Sequence, residues 1–568
     1  MRIIGVGPEV WISSAALIED GKVVAGAAEE RFNRQKTSRK FPHAAIQECL
    51  KEAHCTFEDI DHVAVAWNPA VHMQSYNYRF SDASRWRGEY LVSIPNNVLQ
   101  LVADKKVEHI TQEFVHSNGK TSIVFVTHHL AHAANAFYLS PYEEAAILTV
   151  DGRGEEKTAL FATGKGNKIT ELQTLGFPHS LGLVYSAFTD FLGFKAHVDE
   201  WKVMALASYA THDNPEYVKL KQILKLDKNG LFEFDLSYFN YHMPDQTVFY
   251  SQKFIELFGA PRKTDEELTK RHYQIAAALQ KITEEVLVHM LSWLHEKTGQ
   301  TNLAVGGGVF MNSVFNGKIR DLTPFKNIFI SSCPDDSGVS VGAAAYLHHD
   351  ILKLPRMQSP EHNYWGPEFS DTEIQQTIEK YKLKGEHVQN IEAHAARLLH
   401  EGNIIGWFQG KMEFGQRALG NRSILADPRR AEMKDLVNRI IKYREGFRPF
   451  APSVLEERVA DYFECEPTDR VPFMERVYQI RKERRAEIPA VVHVDGSGRL
   501  QTVSKKTNPR YHQLITEFEK LSGVPVILNT SFNLKGEAIV CTPTDAIRTF
   551  MSSGLDALVL GNYVITKG

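Results

Sequence analysis

His128 and His132 stand four residues apart in His128-His129-Leu130-Ala131-His132, a spacing that on a helix brings both imidazoles to one face and within reach of one metal ion. A metalloprotease of the His-Glu-x-x-His kind needs Glu directly after the first histidine, and this chain has His129 there. Asp151 follows the apolar run Ala146-Ile147-Leu148-Thr149-Val150 and opens Gly152-Arg153-Gly154-Glu155-Glu156. The glycines of such a turn let backbone amides approach a phosphate while the carboxylate faces a metal; an Asp-Gly hairpin turn is the plainer alternative. Asp336, in Pro334-Asp335-Asp336-Ser337-Gly338, adds a carboxylate ahead of an alanine-rich helix, where an aspartate also serves as an N-cap. Two histidines and two aspartates make a mixed nitrogen and oxygen site that suits iron, zinc or manganese and excludes a soft thiolate site.

Two further clusters suit phosphate. Gly306-Gly307-Gly308-Val309-Phe310-Met311-Asn312 puts three glycines after an apolar run and before an expected helix, with Asn312 as a hydrogen-bonding side chain. Later, Arg417, Arg422, Lys442, Arg444, Arg448 and Arg499 supply forked cations plus one lysine, a set fitted to a doubly anionic phosphate ligand. Arg448 lies in the stiff, apolar run Phe447-Arg448-Pro449-Phe450-Ala451-Pro452-Ser453, a poor place for a merely solvated charge. Asn529 and Ser531 follow the apolar run Val524 to Leu528, where the C-terminal end of a strand presents ligand-binding groups.

Alternating strands and helices must position these groups. The pattern predicts strands over 2–6, 14–18 and 22–27, a helix near 43–53, then strands at 123–126, 145–150 and 303–305, which indicates an α/β domain. A proline-rich stretch without periodicity over 353–372 marks a boundary. Beyond it, strands at 404–408, 524–528 and 557–560 alternate with helices near 374–381 and 393–400, giving a second, smaller α/β domain over 373–568.

The 568 residues exceed one hydrophobic core, and 43% hydrophobic with 24% charged residues describes a folded chain. A net charge of −4 leaves no electrostatic footprint for nucleic acid. The short apolar start and the lack of any run of roughly 18 apolar residues predict no membrane span and a cytoplasmic location. The five cysteines are scattered without a CxxC pair and are expected to be buried and reduced.

In one colinear order over nearly the whole chain, the motifs at 128–134, 150–156, 306–312, 417–423, 447–453 and 528–533 resemble the O-carbamoyltransferases of nodulation-factor and antibiotic biosynthesis. The resemblance implies that residues 1–352 take the actin-like ATPase fold, similar to tRNA threonylcarbamoyl-transfer enzymes, and that residues 373–568 form a YrdC-like α/β domain. It implies that carbamoyl phosphate and ATP, with Mg, give carbamoyl adenylate in the second domain. The carbamoyl group then passes to a hydroxyl of a small-molecule acceptor at a metal site in the first. Arg417, Arg448, Arg499, Asn529 and Ser531 would hold ATP or carbamoyl phosphate, with Lys442 beside the latter. His128, His132, Asp151 and Asp336 would hold the metal, iron in relatives, and Ser180, Gly182, Gly308 and Asn312 would hold carbamoyl adenylate. Trp11 and Thr37 stand where many relatives have histidines, so an acceptor other than an aminoglycoside is expected. Trp11 and Phe310 are candidates to narrow the pocket or stack on a sugar ring. The competing readings are a metabolite kinase of the actin-like fold, a tRNA threonylcarbamoyl-type enzyme and a non-catalytic metal or nucleotide sensor.

Overall fold

The computed structural model describes residues 1–8, 11–68, 109–116, 119–243 and 246–567. Its contacts divide it into two units. Unit 1 comprises Met1–Gly26, Arg39–Asn312 and Lys318–Pro360; unit 2 comprises Ala27–Ser38, Ser313–Gly317 and Glu361–Gly568. Two short pieces, 27–38 and 313–317, thus group with unit 2 although they lie far ahead of its main body in the chain.

Unit 1 contains one strand plan twice, the first copy carrying an extra antiparallel strand at its edge. Its first sheet begins with the antiparallel meander β1 (Arg2–Gly7), β2 (Ser14–Glu19) and β3 (Lys22–Ala28). Asp20 and Gly21 take positive φ of 47° and 76°, which suits the right-handed twist of a tight hairpin. Helix α1 (His43–Glu52) then leads to β4 (His62–Val65), parallel to β1. Strands β5 (His109–His116) and β6 (Gly119–Val126) complete the order β3-β2-β1-β4-β6-β5.

After helix α2 (His128–Tyr138) the second sheet repeats the plan with the meander β7 (Glu144–Val150), β8 (Lys157–Lys165) and β9 (Lys168–Gly176). Helix α3 (Leu181–Phe191) and the long α4 (Lys270–Thr298) precede β10 (Asn302–Gly306) and β11 (Asn327–Ile330), both added parallel beyond β7 in the order β11-β10-β7-β8-β9. Helix α5 (Val339–Tyr346) packs on α2 so closely that a Cβ at Gly342 would lie 1.9 Å from the Ala131 carbonyl oxygen. Glycine lets the two helices carry their aspartate- and histidine-bearing ends to one point.

Unit 2 is built on an eight-stranded mixed sheet. Its strands are β12 (Glu386–His387), β13 (Ile405–Phe408), β14 (Arg422–Ala426), β15 (Ala451–Leu455), β16 (Gln501–Val503), β17 (Val526–Ser531), β18 (Ala557–Leu560) and β19 (Tyr563–Thr566). The order is β12-β19-β18-β13-β14-β17-β15-β16. Alternate residues enter different cores: Ile405, Trp407, Leu425 and Val559 join one cluster, Phe408, Ile424 and Leu558 the other. Both faces are therefore covered, which explains why these strands read as continuous apolar runs.

The expected strands and helices are present with ends shifted by a few residues, and both units are mixed α/β. Two expectations need correction. The glycine run at 306–308 leads first into a 3₁₀ turn, Gly308–Met311, and only then into the helix Ser313–Leu322. All five cysteines are free, but Cys55 and Cys465 are only half-buried. Among the described residues no helix is long and apolar enough to cross a membrane.

Candidate functional site

The start of α2 and the ends of two parallel strands meet in unit 1. His128 and His132 project from one face of α2, Asp151 leaves the end of β7, and Asp336 sits just before α5; all four are buried. His128 Nε2 lies 3.2 Å from Asp151 Oδ2 and 3.3 Å from Asp336 Oδ1, His132 Nε2 lies 3.7 and 3.4 Å from the same atoms, and the two Nε2 atoms are 3.0 Å apart. Ligand atoms held at about 2.1 Å around one ion stand roughly 3.0–3.4 Å from each other, so this cluster has the size of a coordination shell. These four residues could hold a metal ion. The Nδ1 atoms of both histidines are buried without a hydrogen-bond partner, so the usual outer acceptor of a metal-binding histidine is missing here.

The electrostatics agree with a shared site. Burial works to lower His128, but Asp336 and hydrogen bonds with Asp151 and Asp336 outweigh it and hold the imidazole well above its ordinary value. Burial works to raise Asp151, and hydrogen bonds from His128 and His132 hold it well below the usual carboxylate range instead. His129 points elsewhere. It bonds Thr149 Oγ1 at 2.7 Å and the Lys157 carbonyl at 3.1 Å, and burial beside His128 and His132 keeps it neutral.

The surrounding turn is tied together. Gly307 (φ 91°) has no room for a side chain, since a Cβ would lie 2.2 Å from the Val150 carbonyl oxygen. Gly308 N–H donates to Asp151 Oδ1 at 2.8 Å. Ser180 caps α3 and donates to the Gly152 carbonyl at 2.7 Å, and Gly182 packs on the Gly152 backbone. Asn312 is buried and exchanges hydrogen bonds with Gln280. Asp335 is the N-cap that the sequence offered as the alternative role, which leaves Asp336 for the cluster. Glu155 was not assigned a role from sequence; its carboxylate accepts the backbone N–H groups of His128 and Asn68, fixing the start of α2.

Phe310 is 1% exposed and is a core residue, so it does not stack on a ligand. Trp11 is also not free to stack. The Arg39 guanidinium lies 3.4 Å from its ring centre and the His197 ring 4.1 Å from it, and two groups that close to one ring occupy opposite faces.

Unit 2 gathers the other predicted residues. Arg499 is held well below its ordinary value by burial and by the neighbouring Arg417, Arg444 and Arg448. Lys442 is lowered by burial and then by Arg444, Arg448 and Lys36. Its ammonium donates to the Ser531 carbonyl and, at 2.9 and 2.8 Å, to the Asn533 carbonyl and Oδ1. Glu445 stands 3.6 Å from Arg448, and Glu537 works against the lowering of Lys442. Asn529 donates to Ala418, Ser453 and Gln501 at the base of the loop that carries Arg417. A cleft of about 650 Å³ opens beside Arg444, lined also by Asn438, Arg439 and Tyr443.

Arg422 is excluded from this set. It is fully buried, donates to the carbonyls of Gln409, Gly410, Asn421 and Pro367, and lies 3.7 Å over Phe408, so it holds the loop rather than a ligand. Glu413, which carried no sequence signal, accepts the backbone N–H groups of Leu419, Asn421 and Arg422 and shapes the same loop.

Family models described as carbamoyltransferase N-terminus and carbamoyltransferase C-terminus match residues 2–345 and 396–567. The chain belongs to the carbamoyltransferase family. This carbamoyltransferase is 40% identical to the uncharacterized protein sll1178 of Synechocystis, over 100% of this chain and 97% of that protein. It is 38% identical to nodulation protein NolNO of Sinorhizobium fredii, over 98% of this chain and 78% of that protein, and 37% identical to nodulation protein NolO of Bradyrhizobium diazoefficiens, over 78% and 79%. Among solved structures, HypF of T. kodakarensis aligns with a TM-score of 0.31 at 12% identity, over 62% of this chain and 48% of that one.

Proposed function

We propose that the enzyme is an ATP-dependent O-carbamoyltransferase that works in two stages. Unit 2, read as a YrdC-like domain, converts carbamoyl phosphate and ATP, with Mg, to carbamoyl adenylate, pyrophosphate and inorganic phosphate. Unit 1, read as an actin-like domain, passes the carbamoyl group to a hydroxyl of a sugar or secondary metabolite. The observation that carries the first stage is the cluster of Arg417, Arg444, Arg448, Arg499 and Lys442, whose mutual repulsion is relieved by a polyanion. The twice-repeated meander followed by parallel strands supports the actin-like reading of unit 1.

His128, His132, Asp151 and Asp336 would hold a divalent ion, with iron(II) the choice among iron, zinc and manganese that the family resemblance favours. Bound there, such an ion would polarise the carbamoyl carbonyl or lower the pKa of the acceptor hydroxyl. Gly308 N–H fixes Asp151 Oδ1, and Ser180 and Gly182 fix the turn behind it, so that the donor meets a rigid wall. Lys442, Arg417 and Arg448 would neutralise the phosphates while carbamoyl phosphate gives up inorganic phosphate, the carbamate oxygen bonds to the α-phosphorus of ATP, and pyrophosphate leaves. The acidic net charge leaves little for tRNA to bind, and a metabolite kinase offers no role for unit 2. The purified protein, given ATP and labelled carbamoyl phosphate, is expected to form pyrophosphate only when both are present. ADP formation indifferent to carbamoyl phosphate would restore the kinase.

A further inference from the structure

Asp336 uses its two oxygens differently. Oδ1 faces His128 and His132, while Oδ2 accepts the Trp11 backbone N–H at 3.1 Å. Trp11 therefore marks the Asp336 side of the cluster, whereas Ser180, Gly182 and Gly308 all touch Asp151 or the backbone beside it. If the carbamoyl donor occupies the Asp151 side, the acceptor approaches along the Trp11 side.

That side is an ordered stack of Arg39, Trp11 and His197. His197 is pinned by its backbone N–H, which donates to Glu200 Oε1 at 2.5 Å, and its ring edge rests on Phe249 at 5.0 Å. Ser186 Oγ donates to Glu200 Oε1 at 2.6 Å, so toward His197 Nδ1, 3.4 Å away, it acts as acceptor. This places the ring proton on Nδ1 and leaves Nε2 as a lone-pair acceptor with no partner among the described residues. Burial, helped by Arg39 and opposed by Asp151 and Asp336, holds His197 down at about 4 and hence neutral near pH 7. Arg39 is exposed and, among the described residues, has neither an ion pair nor a hydrogen bond; it rests on the indole with its N–H fork available.

We propose that the Arg39–Trp11–His197 stack is the acceptor-binding wall of unit 1, with His197 Nε2 accepting the hydrogen bond of the reacting hydroxyl and Arg39 pairing with an acid group elsewhere on the acceptor. The acceptor class is then an anionic hydroxyl compound. This rests on the carbamoyl-transfer reading above. In the step it serves, the hydroxyl oxygen bonds to the carbamoyl carbon and the bond from that carbon to the adenylate phosphate oxygen breaks. AMP leaves with the electron pair, and the hydroxyl proton passes by way of His197 Nε2 to solvent.

The test gives the full-length protein ATP, labelled carbamoyl phosphate and one of three matched probes: glycerol, glycerol 3-phosphate or 3-aminopropane-1,2-diol. Carbamates are measured by mass spectrometry and pyrophosphate in the same tubes. Glycerol 3-phosphate is expected to be carbamoylated roughly tenfold or more faster than the other two, because a charge match at a partly dry site favours it. Arg39→Glu should invert that order, and Arg39→Lys should keep it in weakened form. His197→Phe keeps a ring on Trp11 but removes the acceptor atom, and should lower the ratio of carbamate to pyrophosphate by about 100-fold for every probe. Transfer to glycerol 3-phosphate no faster than to glycerol, including no transfer to either, overturns the proposal, as does an order unchanged in Arg39→Glu. Lack of carbamoyl-phosphate-dependent pyrophosphate in the wild type would instead remove the carbamoyl-adenylate reading, and the proposal with it.

Discussion

The two clusters differ in how their charge is balanced. In unit 1, two imidazoles face two carboxylates at 3.2–3.7 Å, and the imidazoles and carboxylates stabilise each other's charged forms, outweighing the repulsion between like groups for His128 and Asp151. In unit 2, four arginines and a lysine press on one another, with Glu445 and Glu537 among the opposing charges. The first sets opposite charges against one another; the second gathers like charges. Opposite charges side by side stabilise one another, whereas like charges brought together raise each other's cost of burial.

The largest effect should come from breaking the unbalanced cluster. Arg499→Ala is expected to cut pyrophosphate formation by about 100-fold or more, the scale of losing one charge-stabilising donor, without altering metal content. A steady-state assay alongside elemental analysis checks both halves. The complementary break is Asp336→Asn, which should empty the metal site while pyrophosphate formation stays within a few-fold of wild type. Loss of both functions together would remove the division of labour between the units.

The comparison sharpens further in stability without ligands. Arg499→Met relieves repulsion and should raise unfolding stability by about 1 kcal/mol, whereas Asp336→Asn strips His128 of a counter-charge and should lower it by about as much or more. Denaturant midpoints for the two variants should move in opposite directions. The smallest effect is in pH. His349, pushed down to about 3 by burial and by His348 and Arg356, stays neutral in the folded state. The unfolded chain binds that proton near pH 6.5, so the stability His349 contributes is complete above that pH and is lost as pH falls toward 3. Replacing it with Gln should flatten the decline of Tm between pH 6.5 and 4.

Much of the unit 1 cluster was legible because the i, i+4 spacing of His128 and His132 survives as a helix face, and because Asp151 ends an unmistakable apolar strand. The role of Asp336 against Asp335 was not, since both are aspartates before one helix and only the fold decides which one caps it. Arg417 and Arg422 lie in one motif with the same chemistry, yet a strand start buries Arg422 among carbonyls, which residue type alone does not reveal. The doubled sheet topology of unit 1 is carried by strand order, not by repeated residues. Trp11 and His197 stand 186 residues apart, and no local pattern announces that they stack. Glu155 and Glu413 act on backbone amides, a role that leaves no side-chain signature in sequence.

The most direct test of the two-stage account follows pyrophosphate, AMP and ADP from purified protein given ATP and labelled carbamoyl phosphate, in wild type, Arg448→Ala and Asp336→Asn. Pyrophosphate that requires carbamoyl phosphate, disappears in Arg448→Ala and persists in Asp336→Asn is the expected result. ADP formed without regard to carbamoyl phosphate, or pyrophosphate lost equally in both variants, would contradict it.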